Sequence, residues 1–297
     1  MIISKTPYRI SFFGGGSDYP AWYNVNGGAV ISTTIDKYIY ISCRYLPPFF
    51  EHKYRVVWSQ VENVKTVNEI KHRAVKEMLK YFKIKNGLEI HYDGDLPARS
   101  GMGSSSVFVV GLMNLLNNFQ GKKIKKKLLA QKSIYFEQNI LKEVVGSQDQ
   151  VAVSYGGFNK IIFNIGGKFN VYPMSIKKKT LNKLNQNLLL VYTGIKRTAH
   201  DIASGYVNKL NKSKKSHILQ ISSFVTEAEK ALKKGDVNNF GKLLHESWLE
   251  KKNLSSSITN SSIDEIYNNA INKGALGGKL LGAGGGGFFL FKIRNIK

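Results

Sequence analysis

The stretch that most restricts the fold is DLPARSGMGSSSVFVVGL, residues 95 to 112, in which small and polar residues run straight into an apolar segment. Continued as SSSVFVVGLMNLLNNF (104–119), that segment is apolar nearly all round, which reads as a helix buried at the centre of a domain. Such a helix is entered through a tight bend, and Gly101 and Gly103 provide the backbone freedom for one. Two readings of the entry stand. In one, a serine caps the helix and nothing more follows. In the other, the first turn stays open, and its unpaired N–H groups and positive dipole end receive an anion. Hydroxyls at Ser104, Ser105 and Ser106 would then donate to phosphate oxygens or hold Mg²⁺, a hard ion that prefers oxygen. The run is not a G-x-x-x-x-G-K-[ST] loop, and neither D-F-G nor H-R-D occurs anywhere.

Around this segment the pattern is α+β. Residues 1–60 are β-rich: YRISFF, AVISTTI, YIYISCRYL and YRVVWS are short, β-branched and aromatic, with GGGSDYP and NVNGG as turns. A helix is expected over 66–83, a strand at LEIHYDGDL, and helices at 128–144 and at SQDQVAVSYGG. Strands NKIIFNI and FNVYPM follow. The lysine run 177–179 and the polar stretch to Asn187 mark a boundary, giving domains at 1–180 and 181–297, as ~150 residues per domain suggests for 297 residues. Beyond it come a strand LLLVYTG, a helix from about 198 past 205, and helices near 216–233, 236–252 and 262–273. The lack of regular βαβ alternation excludes a doubly wound parallel sheet.

The net charge of +24 attracts anions, whether phosphorylated metabolites, nucleic acid or lipid. Yet KKIKKK (122–127) and IKKK (176–179) carry no arginine or interleaved aromatics and read as solvated faces. No stretch reaches the ~18 apolar residues of a membrane span, and no signal-peptide cleavage site follows the N-terminal apolar run. Cys43 is alone, which fits a reducing cytoplasm.

Three acids need an account. Glu137 falls on the face of the 128–144 helix that carries Ala130, Ile134, Leu141 and Val144, so it is either a buried salt-bridge partner or a magnesium ligand. Asp149 follows twelve residues later in GSQDQV, where Ser147 and Gln150 have capping-box spacing. It is a dipole-favoured acid of a first helical turn, or a general base for a substrate hydroxyl. Asp18, in GGGSDYP, is an Asx-turn residue or a ligand for sugar hydroxyls. GAGGGGFFLF (282–291) holds a formal G-x-G-x-x-G, but a strand follows it rather than a helix, which is wrong for a dinucleotide fold.

Taken together these residues resemble the GHMP kinase superfamily. PYRISFFGGGSDYP is similar to its N-terminal substrate motif, LPARSGMGSSSVFVVGL to its phosphate loop, and KLLGAGGGGFFLF to its C-terminal glycine motif, in the family's order. The resemblance implies a two-domain fold: an N-terminal mixed α/β domain with the phosphate loop, and a C-terminal ferredoxin-like α+β domain. The family pattern continues with a further helix and strand where this sequence reads FFLFKIRNIK, so that domain is expected without them. The cofactors implied are ATP and Mg²⁺. Gly101, Met102, Gly103, Ser104, Ser105 and Ser106 would wrap the ATP phosphates, Ser105 and Glu137 would hold Mg²⁺, and Asp149 and Arg9 would be catalytic.

Within the superfamily, ISFFGGGSDYPAWYNVNGGAVISTTIDKYIYIS, VGSQDQVAVSYGGFN and GALGGKLLGAGGGGF look most like the D-glycero-D-manno-heptose 7-phosphate kinases. That implies phosphorylation of the anomeric hydroxyl to the 1,7-bisphosphate, for nucleotide-activated heptose and surface polysaccharide. Gly15, Gly16, Ser17 and Asp18 would meet the acceptor, the two glycines standing where galactokinases carry Glu-His and leaving room for a larger sugar. Gly285 and Gly286 would lie near it. Arg99, Lys196 and Arg197 are either solvated or hold the acceptor's phosphate, which an arginine can bind in bidentate fashion. The expected partners are ATP and a sugar phosphate, not a nucleic acid or a membrane. Another sugar kinase of the superfamily, fucose-type, is the alternative, and a catalytically silent binding protein is the alternative of another class.

Overall fold

The computed structural model describes residues 1–196 and 199–294. A seven-stranded sheet is built on the 18-residue strand β2 (Gly28–Tyr45), which pairs antiparallel with β1 (Ile2–Phe13) along most of its length. The N-terminal part of β2 also pairs with β6 (Phe158–Phe163), and its C-terminal part with β5 (Leu88–Gly94). Outer strands are β3 (Tyr54–Val57), parallel to β5, then β4 (Val61–Val64), and on the other side β7 (Phe169–Pro173). AVISTTI and YIYISCRY thus form one strand with no turn between them. The segment expected as turns before β2 contains a short helix, α1 (Pro20–Asn26), with proline at its start, where a missing N–H does no harm.

Helix α2 (Arg73–Tyr81) precedes β5, shorter than the 66–83 expected. Helix α3 (Ser104–Phe119) packs on β1 and β2 and is surrounded by α2, α4 (Lys126–Tyr135) and α5 (Gln148–Tyr155). Val107, Val109, Leu112, Met113 and Leu116 have essentially no exposure, so its all-round apolar pattern does mark a central helix. At about 25 cal/mol per Å² of apolar area, such a helix is held by burial, not by propensity.

The expected polar boundary instead forms helix α6 (Lys178–Gln186), anchored by Thr180 and Leu184. We propose that the domains divide there, because the large sheet ends at Pro173 and the next strand, β8 (Leu188–Tyr192), belongs to another sheet. That second sheet has the order β8, β10 (Phe288–Lys292), β9 (Gly277–Leu280), all antiparallel. Its helices are α7 (Ala199–Ser204), which ends before 205, contrary to expectation, then α8 (Lys215–Lys234), α9 (Val237–Lys252) and α10 (Ser261–Asn272). The α8–α9 hairpin turns on Gly235 in the left-handed region (φ 81°), followed by Asp236, whose side chain accepts from Asn239 N at 2.9 Å. Phe240 of α9 packs edge-on against Phe12 and Phe13 of β1, so the two halves share one apolar core. No helix among the described residues is long and apolar enough to cross a membrane.

Candidate active site

A cleft of about 370 Å³ opens where β1, the start of α3, the start of α5, α9 and β9 converge. Its first wall is the entry to α3. Gly103 sits at the N-cap position in the left-handed region (φ 76°), and no side chain caps the helix. The cap-only reading of the serines therefore fails, and no side chain caps the first N–H groups of α3. Gly101 is left-handed as well (φ 80°), and a Cβ there would lie 2.6 Å from Leu281 O. Gly101 and Ser100 are where the two glycine-rich loops meet: Phe288 N donates to Ser100 O at 3.1 Å, and a Cβ on Gly282 would come within 2.7 Å of Gly101 Cα. Ser104, Ser105 and Ser106 line the cleft, while the Met102 side chain is buried in the core.

The second wall comes from strand alternation. Arg9 and Ser11 are two residues apart in a regular stretch of β1 and share a face. Arg9 makes a bidentate pair with Asp149, Nε to Oδ1 and Nη2 to Oδ2, both at 2.6 Å, and its Nη1 donates to Gly101 O at 2.9 Å. Ser11 Oγ donates to Gln148 Oε1 at 2.5 Å. One strand face thus fixes the first turn of α5, and the guanidinium ties Asp149 to the glycine–serine loop before α3. The expected capping box does not form. Ser147 Oγ instead bonds Tyr23 Oη and takes a bond from Gln138 Nε2, and Gln150 turns inward to Glu137.

Glu137 is fully buried. The helix expected over 128–144 leaves α-geometry after Tyr135 and widens into a single π-turn, Phe136–Ile140, which aims Glu137 at the start of α3. Its carboxylate accepts from Ser105 Oγ (3.0 Å), Ser106 Oγ (2.7 Å) and Gln150 Nε2 (2.5 Å). No salt-bridge partner approaches it among the described residues, so the ion-pair reading of this acid fails. Desolvation pushes its pKa up to about 7 against these three bonds, and the nearby Asp149 charge adds to the rise. Beside the Gln150 amide, the ligand atoms offered here are the oxygens of two hydroxyls and a carboxylate, which suit a hard divalent ion such as Mg²⁺.

Because the folded-state pKa of Glu137 is raised, its contribution to stability is fully present below the unfolded value of 4.5 and is lost as the pH climbs through about 7. Glu137→Gln should therefore raise Tm over the wild type by ~3 °C or more at pH 8 without Mg²⁺, with the gap closing near pH 5. Scanning calorimetry at the two pH values checks this, and an equal Tm difference at both would contradict it.

Asp18 is also buried. Its Oδ1 accepts from Gly16 N at 2.9 Å and its Oδ2 from Gln148 N at 3.3 Å. Desolvation pushes it up to about 6 in spite of these bonds. The Asx-turn reading fails, because the local bond comes from Gly16, two residues before, and the residue two on is Pro20, which has no N–H; the carboxylate lines the cleft beside Gly15 and Gly16.

Other expected residues lie elsewhere. Ser17 Oγ is taken up by Gly14 O (2.7 Å) and Ala29 O (3.1 Å) and does not line the cleft. Gly285 and Gly286 pack against Ile202 and Ile195, behind the loop, so their absent side chains serve packing and not the acceptor. Arg99 lines the cleft, exposed and in the left-handed region (φ 61°). Lys196 is exposed and away from the cleft, and Arg197 lies outside the described residues.

The sequence reading missed Ser11, Tyr19, Gln148, Lys251 and Lys279, all on the cleft wall. Lys251 Nζ donates to Leu280 O (2.7 Å) and Gly282 O (2.6 Å), holding the start of the glycine loop. Lys279, on β9, reaches across to Phe12 O at 2.8 Å. A signal for it was present: one lysine stands in the otherwise uncharged run GALGGKLLGAGGGGFFLF.

The chain matches the GHMP kinases N terminal domain over residues 68–157 and the GHMP kinases C terminal region over 228–294. It is 28% identical over 311 residues to the D-glycero-alpha-D-manno-heptose 7-phosphate kinase of Campylobacter jejuni, covering 100% of this chain and 90% of that protein. It is 25% identical over 316 residues to a bifunctional fucokinase/GDP-fucose pyrophosphorylase of Arabidopsis thaliana, covering 99% of this chain but only 30% of that one. The crystal structure of a D-glycero-D-manno-heptose 1-phosphate kinase from Bacteriodes thetaiotaomicron has the same fold, with a TM-score of 0.78 over 99% of this chain and 88% of that one at 22% identity. The first family region carries the glycine–serine turn before α3 and the second carries the glycine loop packed against it, so the chain belongs to the GHMP kinases and is an ATP-dependent kinase.

Proposed function

We propose that this kinase transfers the γ-phosphoryl group of ATP to the anomeric hydroxyl of D-glycero-D-manno-heptose 7-phosphate. The observation that carries the reading is the bidentate Arg9–Asp149 pair, tied to Gly101 O at the foot of α3 and standing beside Asp18. The open first turn of α3 receives the ATP phosphates, and its N–H groups spread their charge. Arg9 holds the Asp149 carboxylate in one orientation. The acceptor's hydroxyl proton passes to Asp149 as its oxygen forms the new bond to the γ-phosphorus, while the bond from that phosphorus to the β–γ bridging oxygen breaks and ADP leaves. Ser105 and Glu137 would hold Mg²⁺, which supplies charge neutralisation of the phosphates. Asp18 orients the acceptor through its hydroxyls, and Gly15 leaves room for it.

Support for the acceptor comes from the C. jejuni relative, matched along the whole chain, and from the room beside Gly15. A Cβ on Gly15 would meet only Gln148 Nε2 at 3.6 Å and Ser11 Oγ at 4.0 Å, whereas the space beside Gly16 is taken by Ile218, 2.8 Å from a Cβ there. The product would feed nucleotide-activated heptose for surface polysaccharide, and a need for ATP fits a cytoplasmic enzyme. The test is a comparison of kcat/KM with ATP and Mg²⁺ for heptose 7-phosphate, free heptose, fucose, galactose and homoserine. The 7-phosphate should exceed free heptose by ~10²-fold, as loss of a charged hydrogen-bonding group implies. Fucose or free heptose turning over as well as the 7-phosphate would contradict the acceptor while keeping the kinase.

A further inference from the structure

The geometry points to Lys279 as the residue that selects a phosphorylated acceptor, by binding the acceptor's own phosphate from the second domain. The proposal rests on the heptose 7-phosphate reading and goes beyond it, since that reading names no residue in this role other than Arg99, Lys196 and Arg197.

Lys279 is 5% exposed and lines the cleft. An ammonium taken out of water needs a counter-charge or a full set of hydrogen bonds. Among the described residues Lys279 has neither: Nζ carries three protons, its one hydrogen bond is to Phe12 O at 2.8 Å, and no carboxylate comes within salt-bridge distance. The acids nearby are engaged otherwise. Asp149 is taken by Arg9, Asp18 is turned onto the backbone N–H groups of Gly16 and Gln148, and Glu143, also on the cleft wall, pairs with Arg73 at 3.6 Å. Burial and the Arg9 charge together push Lys279 down to about 8, with Asp18 opposing, which agrees with a cation short of a partner.

Its place in the cleft also says which anion it meets. Phe12 O lies on β1 three residues past Arg9 and next to Ser11, and both Arg9 and Asp18 are near enough to act on the ammonium electrostatically. Lys279 is therefore on the acceptor side, with Asp18, Gly15 and Gly16, whereas ATP phosphates are drawn to the N–H groups of α3. Lys251, on the same wall, holds Leu280 O and Gly282 O and so fixes the backbone on either side of Leu281, just beyond Lys279. Arg99 is exposed and pays no comparable desolvation, so it discriminates less between charged and neutral acceptors.

The experiment compares wild type, Lys279→Met and Lys279→Arg on heptose 7-phosphate and on free heptose at saturating ATP. Lys279→Met should lower kcat/KM for the 7-phosphate by ~10–100-fold, mainly through KM, with less than ~3-fold change for free heptose. Lys279→Arg should retain the preference to within ~5-fold. Removing a buried, unpaired charge should leave Tm unchanged or raised, which separates this result from misfolding. Equal losses on both acceptors, chiefly in kcat, would overturn the proposal by assigning Lys279 to the transferred group, as would a Lys279→Met enzyme that keeps its preference. A wild type without preference would instead overturn the heptose 7-phosphate reading itself, before any variant is compared. Titration of heptose 7-phosphate into each protein without ATP gives a second readout: Lys279→Met should bind it ~10-fold or more weaker.

Discussion

Asp149→Asn is expected to lower kcat by about 10³-fold while leaving the affinity for ATP within ~3-fold, since a positioned general base contributes roughly 10²–10⁴. Asparagine keeps the shape of aspartate but cannot take the hydroxyl proton. It also offers one acceptor oxygen where Arg9 now finds two, each at 2.6 Å. Arg9 is 4% exposed, so a guanidinium that loses its carboxylate there has little water to turn to. The loss should appear in kcat on the acceptor and not in nucleotide binding, because the N–H groups of α3 are untouched. Single-turnover kinetics beside a nucleotide titration separate the two. An Asp149→Asn enzyme within tenfold of wild-type kcat would leave Asp149 as a partner of Arg9 and no more.

Gly287→Ala should produce the largest loss of stability. At this position φ is +99°, and a Cβ would stand 2.2 Å from Ser100 O and 2.5 Å from Ser100 C, both backbone atoms. Ser100 also takes the bond from Phe288 N, and Gly287 N donates to Ile195 O at 2.9 Å, so neither side can withdraw cheaply. Strain and overlap together should remove about 3 kcal/mol or more of unfolding free energy and raise KM for ATP, because the displaced partner is the turn before α3 that we propose receives the ATP phosphates. Gly166→Ala is the control: φ is also positive there (+79°), but a Cβ meets nothing within 4 Å, so only about 1 kcal/mol is expected. Equal losses in urea denaturation for both variants would show that φ alone matters and that the two loops do not depend on each other.

How much of this the sequence reveals follows from the range of the interactions. The buried helix after residue 103 is written in its own residues, since all-round apolarity needs no partner to be seen. Arg9, Asp18, Glu137 and Asp149 can be picked out because each is a charge set in an otherwise apolar or turn-forming stretch. What those charges touch is another matter. The spacing of Ser147 and Gln150 fits a capping box, but Gln150 faces the buried Glu137 carboxylate, and satisfying that charge outweighs an N-terminal cap. The π-turn after Tyr135 is invisible to a 3.6-residue period, because one extra residue in the turn is compatible with the same composition.

Lys251 was hidden for a different reason. It stands in a WLEKK helix end, where a lysine ordinarily lies in solvent, and only the arrival of Leu280 O and Gly282 O buries it. Gly285 and Gly286 show the reverse error: glycines beside a functional loop suggest a ligand, but two isoleucines take the space. Local pattern therefore singles out candidate residues, while contacts between segments from 13 to 267 residues apart decide which of them face the cleft.

The most direct measurement is the ³¹P and ¹H NMR spectrum of the product formed from ATP and D-glycero-D-manno-heptose 7-phosphate. A new phosphomonoester coupled to the anomeric proton, beside the unchanged signal of the 7-phosphate, is the predicted result. Inorganic phosphate and ADP alone, or phosphate appearing at another carbon of the sugar, would contradict it.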